Sequence, residues 1–255
     1  MQHWQLVVNM DSKAKIVMTS ELSKEIVKAV ENTEEQAIFV FDSSGLFIRV
    51  SDPYRARVVE LVIPKERFTD YEFTGNSDSQ LRAGIVISRL KDITKTLRKG
   101  DTLELVYSSG ESRIQTQAGI LRRDIRLIKS ELLADIPVIS VAFEYEVDVD
   151  YSTISQFLKA SNGKGHLCDF ITDGGFIMAC ETDEGTVRIK REVDECGMRP
   201  ANHISMTTFS VEHTIKALAL GNDLIRIRGK QDSAVEFSWI SKTGINMRAW
   251  VAPRV

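Results

Sequence analysis

Lys91, Lys95 and Lys99 recur at every fourth residue, a spacing that lines three ammonium groups along one side of a helix. An ammonium is a compact point charge, suited to loose contact with phosphate and poorly suited to reading base edges. Arg89 and Arg98 flank this row, Lys24 and Lys28 form a similar pair upstream, and Lys159 and Lys216 sit on helical stretches of the second half, with His213 a further candidate. Such a surface would make phosphate contacts without regard to sequence. The plainer reading is a solvated helix face, and Glu21 and Glu31 beside the first pair speak for it.

Catalytic chemistry has less to stand on. Ser161-Asn162-Gly163-Lys164-Gly165 lacks the frame of a phosphate-binding loop, and the chain has no GxSxG, HExxH or GxGxxG. His3, His166, His203 and His213 have no metal-ligand spacing, so neither a metal nor a cofactor is expected. Paired acids such as Asp148/Asp150 and Glu34/Glu35 arise readily among 36 acidic residues. A non-enzymatic role is therefore expected, with a small-molecule enzyme on a duplicated α+β fold as the rival. The formal charge of −3 does not oppose DNA binding, because a total says nothing of how charges are segregated.

Cys168, Cys180 and Cys196 are odd in number and show no CxxC spacing, which suits reduced thiols in a cytoplasmic setting. No apolar run reaches the roughly 18 residues of a membrane span, and the first ten residues do not read as a signal peptide.

The elements that must position the basic residues follow from periodicity. Leu22, Ile26, Ala29 and Val30 fall on one face of a helix over about residues 20–32, with Ser20 as its N-cap. Ile87, Leu90, Ile93 and Leu97 do the same over 87–97, before Gly100. Short strands are expected at 15–18, 37–41, 46–50, 57–63, 102–107, 112–117 and 120–128.

Residues 129–138 then interrupt the pattern. Pro137 donates no backbone hydrogen bond and disfavours helix at Ile136, yet Leu132, Leu133, Ile136 and Val138 are too apolar for a solvated spacer. Beyond them the order recurs: a strand at 139–147, a helix at 150–160, a Thr172-Asp173-Gly174-Gly175 turn matching Asp42 to Gly45, and a helix at 210–220 with Ala217 and Leu220 outward. Lys95, Leu97, Gly100 and Leu103 fall in register with Lys216, Leu218, Gly221 and Leu224. The fold class expected is α+β, two copies of a unit with two helices on antiparallel sheets, divided as 1–128, 129–138 and 139–255.

The run from Gly45 to Leu61, with Ser51-Asp52-Pro53 and then Phe68-Thr69-Asp70-Tyr71, resembles the first-domain signature of DNA sliding clamps of the proliferating cell nuclear antigen (PCNA) type. Ile136-Pro137 is similar to that family's interdomain connecting loop, and Trp250-Val251-Ala252-Pro253-Arg254-Val255 to its C-terminal segment. The resemblance implies a processivity factor in DNA replication and repair: three subunits closed head to tail, a homotrimer or a heterotrimeric or checkpoint-type relative, with helices lining the bore. Carried onto this chain, the bore would hold Lys24, Lys28, Arg89, Lys91, Lys95, Lys99, Lys159 and Lys216. The edges joined between subunits would include Ile120, Leu121, Ile125 and Leu127 of one copy and Phe176, Ile177 and Met178 of the other. A groove for short peptides of DNA polymerase, clamp loader, flap endonuclease and DNA ligase would be lined by Arg55, Ala56, Val58, Leu133, Ala134, Ile136, Pro137, Ala234, Trp250, Ala252, Pro253 and Val255. The end at Val255 suggests an archaeal-like, cytoplasmic protein, or a nuclear one if the source is eukaryotic.

Overall fold

The computed structural model describes residues 12–76, 79–163, 165–192 and 204–254. Among them are four α-helices and seventeen strands, all paired antiparallel, so the α+β expectation holds. By contact density the chain forms two compact units. One takes the chain up to Lys24, Gln36–Ile48 and Ile63–Leu133; the other takes Glu25–Glu35, Arg49–Val62 and the rest from Ala134.

The first half of the sequence runs β1 (Lys13–Thr19), α1 (Ser20–Glu31), β2 (Gln36–Asp42), β3 (Gly45–Ser51), β4 (Arg57–Pro64), β5 (Asp70–Thr74), β6 (Leu81–Val86), α2 (Ile87–Thr94), β7 (Thr102–Ser108), β8 (Arg113–Ala118) and β9 (Leu121–Arg126). The second runs β10 (Tyr145–Asp150), α3 (Tyr151–Ala160), β11 (Leu167–Thr172), β12 (Gly175–Thr182), β13 (Gly185–Glu192), β14 (Ser205–Ser210), α4 (Val211–Ala217), β15 (Leu224–Gly229), β16 (Val235–Ile240) and β17 (Asn246–Val251).

The duplication is visible in strand order. In the first unit β1-β7-β8-β9 are neighbours in sequence of pairing, with β5 added outside β1; in the second the neighbours are β10-β15-β16-β17. Likewise β3-β2-β6 is matched by β12-β11-β14. The two turn glycines that align in the sequence share a physical reason. A Cβ on Gly45 would strike the carbonyl of Ile63, and one on Gly175 would strike the carbonyl of Arg191. Each strand after the turn thus passes too close for a side chain, and Gly45 also has φ +145, a conformation few other residues adopt.

The core of the first unit is built from Ile16, Met18, Phe39, Phe41, Ile85, Leu103 and Leu105, whose alternation along strands puts every second side chain inward. In the second unit Phe170 is the hub, with ring centroids of Phe209 at 5.1 Å, Phe176 at 5.6 Å and Phe237 at 6.0 Å.

The Phe68–Tyr71 pair explains itself. Its rings lie 5.2 Å apart, and the Tyr71 hydroxyl sits 2.6 Å from the Asp42 carbonyl and 2.5 Å from that of Gly45, sharing one hydrogen between them. It therefore clamps the β2–β3 turn, and burial raises its pKa far above the ordinary tyrosine range.

Several expected boundaries move. Thr19 rather than Ser20 caps α1, its hydroxyl accepting from the Leu22 N–H at 3.2 Å, while the Ser20 hydroxyl donates to Glu21. The strand expected from 139 starts only at Tyr145, the helix expected over 210–220 is α4, and Ala217 is buried rather than outward. No helix among the described residues is long and apolar enough to cross a membrane.

Candidate nucleic-acid interface and partner-peptide site

Lys24 and Lys28 are exposed on α1, opposite the buried Leu22, Ile26 and Val30, as the spacing requires. Lys24 is tethered: its Nζ donates to the Leu97 carbonyl at 2.8 Å, tying α1 to the chain just after α2. That second helix is shorter than expected. It ends at Thr94, after which Thr96 and Leu97 bond three residues back, a tightening common at helix ends. Lys91 therefore lies on the helix, Lys95 is its cap and Lys99 lies beyond it; Lys95 and Lys99 are exposed. The three charges stay on consecutive turns of chain, but Lys99 is not a helical i+8 position. Arg89 turns aside, its guanidinium donating to the Arg126 carbonyl on β9 at 2.8 Å.

In the second unit Lys159 is exposed on α3, and Lys216 on α4 is paired with Glu212 at 2.5 Å, one turn before it. Lys216 is thus partly neutralised. His213 is half-buried with its Nδ1 unpartnered among the described residues, and desolvation lowers its pKa, so it adds little positive charge near neutral pH.

The peptide-site residues fall into three groups. Arg55, Ala134 and Pro137 are exposed; Ala56, Leu133, Ile136, Ala234, Ala252 and Pro253 are half-buried. Val58 and Trp250 are 9% and 5% exposed and face each other across β4 and β17, so neither offers much open surface. Val255 lies outside the described residues. The C-terminal strand is extended past β17 by a bond from the Ala252 N–H to the Ala56 carbonyl at 2.9 Å, which brings Ala252 beside the Asp52–Arg57 loop. Asp52 closes that loop by accepting from the Arg57 N–H at 2.6 Å, and Arg55 takes a left-handed φ of 54 there.

Two residues that the sequence reading passed over hold the linker. Arg49 donates from Nη1 to the Ile136 carbonyl at 3.2 Å, and its Nε and Nη2 fork onto Glu60 at 2.9 and 2.5 Å. Glu60 is buried and also meets Arg248 at 3.7 Å. A basic residue on β3 and an acidic one on β4 at facing positions of a hairpin was the available signal.

The expected edge strands need one correction. Ile120 is fully exposed, Leu121 is exposed, Ile125 is buried and Leu127 half-buried, and β9 ends its sheet with an unpaired side. Phe176, Ile177 and Met178, however, lie on β12, which is paired to β11 on one side and β13 on the other. They are 2%, 3% and 1% exposed and belong to the core. The strands at the ends of that sheet are β13 and β14.

No protein-family model matches the chain. Among solved structures, A. fulgidus PCNA with the C-terminal region of FEN-1 bound superposes with a TM-score of 0.84, covering 95% of this chain and 98% of that one at 21% identity. The chain has the PCNA-type clamp fold. The PCNA of Thermococcus kodakaraensis is similar in the same way, with a TM-score of 0.77 at 18% identity over 94% of this chain and all of its own. Sequence relatives also extend over most of the chain. DNA polymerase sliding clamp 1 of Pyrobaculum aerophilum is 24% identical over 253 residues, 95% of this chain and 99% of the relative. The DNA polymerase sliding clamp of Nitrosopumilus maritimus is 24% identical over 196 residues, 74% and 76% of the two chains.

Proposed function

We propose that this chain is a subunit of a DNA sliding clamp: a ring of three clamp-fold subunits joined head to tail, encircling duplex DNA and tethering DNA polymerase. The duplicated strand order, shared with solved PCNA structures, is the observation that carries it. A clamp needs no nucleophile or cofactor, since it works by topology and docking while its clients do chemistry. The exposed Lys24, Lys28, Lys95, Lys99 and Lys159, with Lys91, are its phosphate-facing residues. They provide attraction that is indifferent to sequence and weakened by salt, which lets a ring slide.

Residues 1–128 and 139–255 act as its two domains, and 129–138 as the connecting loop of a peptide groove. The solved relative carries a FEN-1 C-terminal segment, so a flap endonuclease is the first client to expect; polymerase, DNA ligase and the clamp loader use the same kind of short motif. The archaeal relatives make the cytoplasm the proposed location.

The test is a fluorescence-polarisation titration with a labelled peptide carrying a Gln, an aliphatic residue and two aromatics. Saturable binding is expected, weakened at least about tenfold by Leu133→Ala with Ile136→Ala, as for loss of an apolar anchor. Melting temperature should barely move, because both side chains are only half-buried. No saturable binding to the wild-type chain would remove the docking role.

A further inference from the structure

Only three cysteines occur in 255 residues, and two of them stand opposite one another. In the β11–β12 pair Phe170 faces Met178 and Asp169 faces Ala179; the next position of the same ladder sets Cys168 against Cys180. Directly opposed residues of an antiparallel pair point to the same side of the sheet. Here that side is the core: Cys168 and Cys180 are 0% and 2% exposed, and Phe170 and Met178, two positions along, are buried with them.

Opposed Cα atoms in such a ladder lie about 4.5–5.5 Å apart, inside the roughly 4.4–6.8 Å that a disulfide spans. Both thiols are free in this structure. Ser161, just after α3, lies beside the Cys180 sulfur, and Thr214 of α4 lies beside that of Cys168. A small apolar filler is the plainer account of any one buried cysteine. It does not account for two of three meeting face to face.

We propose that Cys168 and Cys180 are a redox-modification site, a dithiol that takes a cross-strand disulfide from a low-molecular-weight disulfide when the β11–β12 hairpin opens. In the closed fold neither sulfur reacts, because burial keeps both thiols protonated and the thiolate is the nucleophile. Opening lets one cysteine ionise and attack the small disulfide, which forms a mixed disulfide and expels one small thiolate. The thiolate of the second cysteine then attacks the protein sulfur of that bond and expels the other. Two electrons pass from the protein to the small disulfide, and the two cysteine protons end on the two expelled thiolates. Reclosing buries the new bond beneath Ser161 and Thr214, under the helices that carry Lys159 and Lys216. Small thiols then cannot reach it, so the folded chain keeps a record of having opened under oxidising conditions.

The test is thiol trapping on the full-length chain. Freshly reduced protein is incubated with oxidised glutathione at increasing urea below its unfolding transition, then alkylated and read by intact mass and peptide mapping. Without urea both thiols should stay free. With it a Cys168–Cys180 bond should form at a rate that climbs with urea, because the hairpin must open first. After urea is removed, the cross-linked chain should melt roughly 5–10 °C above the reduced one, and dithiothreitol should reverse this only when urea is returned. Cys196→Ala should leave the bond in place. A persistent glutathione adduct on either cysteine, a bond to Cys196 instead, or a cross-linked chain that melts below the reduced one overturns the inference. So do two thiols that stay free up to the unfolding transition, and bond formation indifferent to urea. None of these readouts depends on ring closure or on peptide docking, so they stand apart from the clamp reading.

Discussion

Glu60 is the residue on which the linker's position turns. It is buried, accepts the Arg49 fork and sits across from Arg248, while Arg49 also holds the Ile136 carbonyl. Glu60→Ala removes the buried carboxylate that accepts the Arg49 fork and faces Arg248, and is expected to cost about 3 kcal/mol, measured by chemical denaturation. Arg49→Lys keeps the charge but loses the fork, and should weaken client-peptide binding more than it weakens the fold. Equal losses in both would mean that Arg49 serves the sheet alone. Cys168 offers a second test at this scale. Burial, with Cys180 and Asp169 adding to it, pushes its thiol from 9.0 up to about 12. The unfolded thiol ionises first, so stability is intact below pH 9 and declines as pH rises toward 12. Melting temperature against pH checks the sign, and Cys168→Ala should flatten the decline.

At the scale of elements, amphipathic spacing was the most legible signal. Leu22, Ile26, Ala29 and Val30 are buried as their spacing demands, and so are Ile87, Leu90 and Ile93. The end of α2 was not legible, because Leu97 keeps the apolar spacing after the helix has tightened into a non-α turn. The choice of β12 as an edge failed for a different reason. Phe176-Ile177-Met178-Ala179-Cys180 is a continuous apolar run, which marks a strand covered on both faces, whereas the alternation of Thr186 to Glu192 marks the half-covered edge. The peptide site was legible in outline through Ile136-Pro137 and the C-terminal segment. Its support was not, because Arg49 and Glu60 meet only once the β3–β4 hairpin has formed. The shortening of α2 also sharpens the expectation for the basic residues. Lys95→Glu and Lys99→Glu should each reduce the slope of log affinity against log salt by about one for duplex DNA, as for loss of a phosphate contact. An unchanged slope would remove both from the phosphate-facing set.

For the whole molecule, the duplicated architecture solves a physical problem twice. Antiparallel sheets have edges: β4 and β17 meet within the chain, while β9 and β13, like β5 and β14, end their sheets. In a closed ring, retention on DNA depends on topology more than on affinity. The most direct test is to let the assembled ring bind nicked circular DNA, and to gel-filter the complex in salt high enough to strip loose contacts. The ring should stay with the circle and be lost after a single cut frees the ends. Equal retention on circular and linear DNA would contradict the sliding-clamp account.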